Sequence, residues 1–220
     1  MATLNNIVIW FGTGVIIISF IIALSLSKNS NNYMKGFFLC PLIALLVSIN
    51  SIFGSIFFLY NQELCFLIQS FLFLFELLFW SFFFLKILKD KKDSMKIKIL
   101  FSITLLISIY LIYFSNVDKR NLNIVALSVI CKTIFCIFFY YDLFKNLSYR
   151  NILLEPVFWI VTGLIFYSCL SLPIYTLNSY IKLLLPVFAS NIFSISNMLI
   201  IIMHLFFIKA YLCKIRLHKA

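Results

Sequence analysis

Seven long apolar runs, separated by short polar segments, dominate the chain. A helix needs about 20 apolar residues to cross the hydrocarbon core of a bilayer, which is about 30 Å thick. Each run is of this order, so we predict seven transmembrane helices. Their approximate bounds are 7–26, 37–60, 65–85, 99–114, 124–144, 157–177 and 187–208.

The composition excludes a water-soluble protein. Hydrophobic residues make up 64% of the chain and charged residues 11%, whereas soluble domains carry about 45–50% and about 25%. So few polar groups cannot cover a soluble globule, and so hydrophobic a chain is not disordered. The gaps between the runs are too short for a soluble domain. We therefore expect an all-α, polytopic membrane protein with one transmembrane domain over residues 1–220.

The basic residues predict the orientation. With the N-terminus outside, fourteen Lys and Arg fall in inner segments and three in outer segments, and cytoplasmic loops are the ones that carry such an excess. The first run has no positive charge before it and is followed by Lys28 and Lys35, which indicates an uncleaved span. We expect a multi-pass protein of the cell inner (cytoplasmic) membrane with a cytoplasmic C-terminus. The basic cytoplasmic segments explain the net charge of +11, so we expect no nucleic acid partner.

Two of the polar segments are predicted as charged loops. Residues 86–98 form the most polar stretch of the chain, and residues 116–123 carry Asp118, Lys119 and Arg120. Pro156 and Pro186 stand just before the last two apolar runs. The N–H groups of the first helical turn have no partner within the helix, so a proline, which lacks an N–H, fits at that position. We therefore expect each proline in the first turn of its helix.

Three ionisable residues lie more than three residues from either end of a predicted span: Glu76, Lys132 and His204. Such residues are costly in lipid and are candidates for function. Glu76 and Lys132 are about 17 and about 12 Å from the outer end of their helices, so they have similar depths. They form an ion pair, or Glu76 is a neutral hydrogen-bonded acid while Lys132 extends toward the interface, or they bind a proton or ligand.

Polar residues also recur at helical spacing. Ser190, Ser194, Asn197 and His204 share one face of the seventh run, Gln69 and Glu76 share a face of the third, and Ser48, Ser51 and Ser55 share a face of the second. Small hydroxylic residues of this kind usually mark close helix packing in lipid. For Asn197 and His204, a packed face and a ligand-accessible cavity stay equally open.

Known catalytic patterns are absent from the sequence. There is no metalloprotease, serine hydrolase or P-loop motif, no predicted span holds two carboxylates, and none of the three Arg lies in a span. The six Cys are scattered without a CxxC pair, which predicts neither disulfides nor a metal site. We therefore expect no enzyme activity, catalytic residue, cofactor or metal.

Three segments resemble a family of seven-helix membrane proteins, about 220 residues long, that is common in Bacteroidota. Residues 73–92 (FLFELLFWSFFFLKILKDKK) resemble its third helix, residues 151–173 (NILLEPVFWIVTGLIFYSCLSLP) its sixth, and residues 195–213 (ISNMLIIIMHLFFIKAYLC) its last. Some family members are encoded near sensor histidine kinases, which suggests signalling. The positions that match the family pattern are Glu76, Pro156, Phe158, Trp159, Gly163, Tyr167 and Asn197.

Two functions follow as hypotheses. The first is a non-enzymatic sensory or accessory subunit, whose basic inner segments contact a membrane signalling partner, a second copy of the chain or anionic lipid. The alternative is a small transporter or channel subunit with a polar core around Glu76, Lys132 and His204. An intramembrane lipid-modifying enzyme ranks last, because the sequence shows no catalytic constellation.

Overall fold

The structure is a computed structural model that describes residues 2–27, 36–57, 62–88, 90–114, 117–145, 152–184 and 186–219. Over these ranges the chain is helical and has no strand, which confirms the predicted all-α class. One 3-10 turn, Ile152–Leu154, accompanies the α-helices. These are α1 (Ala2–Ser27), α2 (Leu39–Phe57), α3 (Gln62–Ile87), α4 (Lys91–Phe114), α5 (Val117–Lys145), α6 (Pro156–Leu184) and α7 (Pro186–Lys219).

Six of the described helices are long and apolar enough to cross a membrane. The exception is α2, whose described apolar stretch, Leu39–Asn50, is shorter. Apolar helices of this length indicate a membrane-embedded protein. The qualifying segments are Ile7–Ser25, Leu67–Ile87, Lys92–Phe114, Asn123–Lys145, Pro156–Leu177 and Ser194–Cys213.

Six helices form a closed ring, and α4 lies outside it. Going round the ring, α1 packs against α2, α2 against α3, α3 against α5, α5 against α6, α6 against α7, and α7 against α1. Helix α4 packs on α3 and α5, and it leaves many large apolar side chains exposed. Exposed apolar side chains suit a helix that faces lipid tails rather than water.

Side-chain contacts give the relative directions of the helices. Glu76 meets Lys132 and Phe84 meets Phe135, so α3 and α5 run in parallel. Helices α1 and α7 are parallel as well. Gly12 lies near Ile201 and Ser19 lies near His204, so residue numbers rise in the same direction along both helices. By contrast, α6 runs antiparallel to α7, because Tyr175 meets Ser196 and Trp159 meets Phe206.

An aromatic core fills the ring on one side of the Glu76 level. We use this name for Phe37, Phe79, Trp80, Phe83, Phe84, Phe135, Phe207 and Tyr211. Phe37, Trp80, Phe84, Phe135 and Phe207 are all 0% exposed. Phe37 contacts Phe207 and Tyr211 at centroid distances of 5.3 and 5.8 Å, within the range that aromatic pairs prefer. The core thus joins α3, α5 and α7 to the residues that lead into α2.

Gly163 sets the close approach of α6 and α7. A Cβ atom built there would lie 2.6 Å from Phe206 Cβ and 3.2 Å from the Met203 carbonyl oxygen. Only a residue without a side chain fits at that distance, as in other close membrane helix pairs. The sequence places Gly163 among the positions of the family-like pattern, and the structure gives it a steric role.

Several helix ends differ from the predicted spans. The predicted loops 86–98 and 116–123 are largely helical, since α4 begins at Lys91 and α5 at Val117. The last two helices also extend past residues 177 and 208, to Leu184 and Lys219. Hydropathy marks the part of a helix that contacts lipid, whereas backbone hydrogen bonding continues into polar turns at the interface. The predicted positions of Pro156 and Pro186 at helix starts are confirmed.

Candidate functional site

Glu76 and Lys132 form a direct contact between α3 and α5. Lys132 Nζ donates to Glu76 Oε1 at 2.7 Å. The Lys132 side chain is 3% exposed and that of Glu76 is 18% exposed. The contact that the ion-pair hypothesis requires is therefore present, and Lys132 does not extend toward the interface.

A third group binds the same carboxylate oxygen. Trp80 Nε1 donates to Glu76 Oε1 at 3.3 Å. The two residues are four apart on α3 and therefore share a helix face. Two donors on one oxygen restrict the carboxylate to one orientation. The spacing of Glu76 and Trp80 was visible in the sequence, although we did not predict this bond.

The aromatic core closes the site on one side. Trp80 and Phe84 continue along α3 from Glu76, and Phe135 follows Lys132 by one turn on α5; all three are 0% exposed. Moving a charged group out of water costs on the order of several kcal/mol. An opposite charge nearby offsets that cost only when the geometry of the contact is good. The bond of 2.7 Å, together with the Trp80 bond, supplies such geometry.

Polar side chains occupy the ring on the other side of the pair. We call Tyr167, Ser171, Tyr175 and Ser196 the polar layer. Tyr175 and Ser196 share a hydrogen bond of 2.8 Å between their hydroxyls, and Tyr167 and Ser171 are both buried. This layer lies where α3, α5 and α7 begin and α6 ends. The ion pair thus lies between the polar layer and the aromatic core.

The remaining predicted residues lie apart from the pair. His204 is 0% exposed, and its Nδ1 lies 3.3 Å from Ser19 Oγ, at the contact of α1 and α7. Its ring packs edge-on against Phe207 at 5.3 Å. Asn197 and Gln69 are half-buried, on α7 and α3. Nothing in the sequence points to Ser19, because it lies 185 residues from its partner.

The serine faces are described in part. Ser48 Oγ donates to the Ala44 carbonyl at 2.9 Å within α2, and Ser194 is buried on α7. The side chains of Ser51, Ser55 and Ser190 lie outside the described residues.

A second charged group occupies the opposite end of the bundle, outside the spans. Asp90, in the turn between α3 and α4, accepts from the Lys92 amide at 2.9 Å and from Lys145 Nζ at 3.3 Å. These two hydrogen bonds hold the pKa of Asp90 below its ordinary value. The contact joins the turn to the last residue of α5. Nearby, Lys96 binds Asp93 at 2.7 Å.

The thiols and acids form no recognisable redox or metal centre within the described part of the chain. The described cysteines form no disulfide: Cys40, Cys131, Cys136, Cys169 and Cys213. The Cys65 side chain is outside the described residues. No three His, Cys, Asp or Glu side chains among those described cluster closely enough to hold a metal ion.

No family model, curated protein or solved structure matches the chain.

Proposed function

We propose that the chain is a seven-span protein of the cell inner (cytoplasmic) membrane and acts as a non-enzymatic sensory or accessory subunit. One observation carries this proposal: the intramembrane charged pair is closed on one side by fully buried aromatic rings. A transport route through the ring would need a polar path past Trp80, Phe84 and Phe207. Packed rings at that level instead favour a rigid bundle that holds a charged contact.

The relative directions of the helices support an odd number of spans, with the two termini on opposite sides of the membrane. Helices α1 and α7 are parallel, as the first and last spans of a seven-span chain must be. The excess of basic residues in the inner segments favours a cytoplasmic C-terminus. In this orientation, the aromatic core lies in the inner half of the membrane and the polar layer in the outer half.

We further propose that the basic inner ends of the helices bind the partner. Side chains of Lys96 and Lys145 are 57% and 54% exposed, and Lys209 Nζ lies 4.8 Å from the Trp159 ring centre, at the interfacial end of α7. A membrane signalling protein, a second copy of the chain or anionic lipid headgroups would meet these cations. The resemblance to a family with kinase neighbours favours the signalling protein.

Co-purification from native membranes tests this function. We expect the full chain to retain a signalling protein in near-equal amounts. Replacing Lys86, Lys92 and Lys98 by Gln should release it, since these inner lysines take no part in the ion pairs described above. The matched control replaces Lys119, Arg120 and Lys182, the three outer basic residues, and should retain it. A chain that purifies alone, or only with lipid, contradicts a signalling partner.

The transporter or channel alternative is favoured by the polar layer beside the pair and by the 18% exposure of the Glu76 side chain. Purified protein in liposomes tests it by uptake of labelled small ions. The accessory function predicts uptake equal to that of empty liposomes. The alternative would be established if the unsubstituted protein took up more than empty liposomes and the Glu76→Gln variant did not.

A further inference from the structure

Two buried serines, one on α5 and one on α6, have no hydrogen-bond partner among the described residues. They are Ser128 on α5, 2% exposed, and Ser168 on α6, 0% exposed, and the unpartnered atom in each is Oγ. Buried hydroxyls are nearly always hydrogen-bonded, to protein or to ordered water.

These two hydroxyls also differ from several other buried or half-buried hydroxyls on the described helices. Ser81, Thr133 and Thr162 donate to the carbonyl one turn earlier in their own helix, at 2.9, 2.9 and 2.6 Å. That bond is available to any helical serine. Ser128 and Ser168 do not make it, which leaves their hydroxyls free for another partner.

The register of α5 and α6 places both serines within about 6 Å of Lys132 along the helix axes. Cys136 Sγ lies 4.0 Å from the Val161 carbonyl oxygen, which fixes one contact between these antiparallel helices. Lys132 and Ser128 lie one and two turns from Cys136 on the same face of α5, about 6 and about 12 Å along it. Ser168 lies about 10 Å along α6 from Val161 and on the same face. It therefore lies at a level between Lys132 and Ser128.

The charges in this region determine the kind of ligand that fits. An ammonium group has three donors, and Glu76 Oε1 takes one of them. Lys132 and Glu76 together are neutral, so an added ion would be an uncompensated buried charge. A small neutral molecule that accepts from Lys132 and donates to a serine hydroxyl fits without that cost.

We propose that Lys132, Ser128 and Ser168 form a binding site for water between α5 and α6. One or two water molecules accept from the ammonium group and bond to both serine hydroxyls. The water links α6 to the ion pair of α3 and α5, so that three helices share one polar contact. Buried waters of this kind typically make about three hydrogen bonds.

Infrared spectroscopy of the detergent-solubilised full chain tests the site directly. We expect a band from strongly bonded water that shifts when H₂¹⁸O replaces normal water and that is lost in the Ser128→Ala, Ser168→Ala double variant. Absence of such a band from the unsubstituted protein would overturn the proposal, whatever the variants do.

Thermal stability gives an independent test by the sign of the change. A hydroxyl that holds water stabilises the fold, so each single Ala variant should lower the melting temperature by about 2–4 °C. The double variant should lower it little further, because both serines hold the same water. The control, Ser81→Ala, removes a buried serine that bonds its own helix. Single variants that melt at or above the unsubstituted temperature would contradict the site, since removing an unpaired buried hydroxyl is neutral or stabilising.

Discussion

At the scale of single residues, the contact of Glu76 with Lys132 depends on two opposed energies. Burial removes both groups from water, and the bond of 2.7 Å and the Trp80 donor offset that loss. A buried pair of this kind adds little net stability, yet loss of one partner leaves a charge without compensation.

We predict that Glu76→Gln lowers stability and that adding Lys132→Met restores much of it. Breaking one side of a buried pair costs about 3–5 kcal/mol, and replacing both sides is often nearly neutral. The 18% exposure of Glu76 places the expected loss near the lower value. Melting curves in detergent for both single variants and the double variant measure the coupling.

The matched control for this cycle is Lys145→Gln. It breaks the ion pair with Asp90, in which the two side chains are 54% and 28% exposed, and exposed pairs contribute little to stability. If Glu76 were a neutral acid, Glu76→Gln would be tolerated as well as this control, and Lys132→Met would act independently of it.

A second prediction concerns Gly163. Ala at this position would bring Cβ to 2.6 Å from Phe206 Cβ, so α6 and α7 must separate, and overpacking typically costs about 1–3 kcal/mol. Gly14→Ala is the control, because a Cβ there meets nothing within 4 Å. We expect a lower melting temperature for Gly163→Ala and no loss for Gly14→Ala. Equal values for both variants would contradict the steric role.

Residue types and spacing were enough to propose one contact at this scale, as one of three alternatives. The similar depths of Glu76 and Lys132 follow from counting residues into each span, and the contact follows if the two helices are neighbours. The contact of His204 with Ser19 could not be predicted, because it depends on α1 closing the ring against α7. The packing of Phe206 against Gly163 likewise depends on how α6 and α7 cross.

At the scale of helices, apolar runs predicted the elements well and their ends poorly. The polarity of residues 91–98 and 117–123 predicts loops, yet both segments are helical. Lys and Arg are good helix formers, and a helix that leaves the membrane keeps its backbone hydrogen bonds. Polarity therefore locates the interface and not the end of the helix.

The Asp90–Lys145 contact predicts a pH dependence for the turn between α3 and α4. The pKa of Asp90 is lowered from the ordinary value of 3.8, so the contact contributes fully to the stability of the folded protein above that pH. This contribution is lost as the pH falls through the lower pKa that Asp90 has in the folded protein. We expect Asp90→Asn to melt below the unsubstituted protein at about pH 6, and the difference to shrink below about pH 4.

Lys145→Gln is the companion variant, because it removes the partner and leaves the Lys92 amide bond in place. Its melting temperature should also lie below that of the unsubstituted protein, by a smaller amount that likewise shrinks at low pH. A difference between Asp90→Asn and the unsubstituted protein that stays constant down to about pH 3 would exclude this role for Asp90.

At the scale of the whole molecule, the ring of six helices with α4 outside it explains the uneven exposure of the spans. Helix α5 contacts α3, α4 and α6, whereas α4 contacts only α3 and α5 among the well-packed pairs. The exposed side of α4 includes Ile103, Leu106 and Tyr110. A bilayer would cover that side and stabilise it without a protein partner.

The number of spans is the main point on which the proposed topology depends. Six described helices satisfy the length and hydropathy of a span, and α2 carries a shorter described apolar stretch. If α2 crosses the membrane, the termini lie on opposite sides. The parallel packing of α1 and α7 requires an odd number of spans and therefore agrees with an α2 that crosses.

The most direct test of the account is a pair of topology reporters, one before Met1 and one after Ala220, each active only outside the cytoplasm. We predict activity for the N-terminal fusion and silence for the C-terminal fusion, with equal expression shown by a tag common to both. The same state of activity at both termini would contradict the seven-span topology, and activity at the C-terminus alone would reverse the orientation.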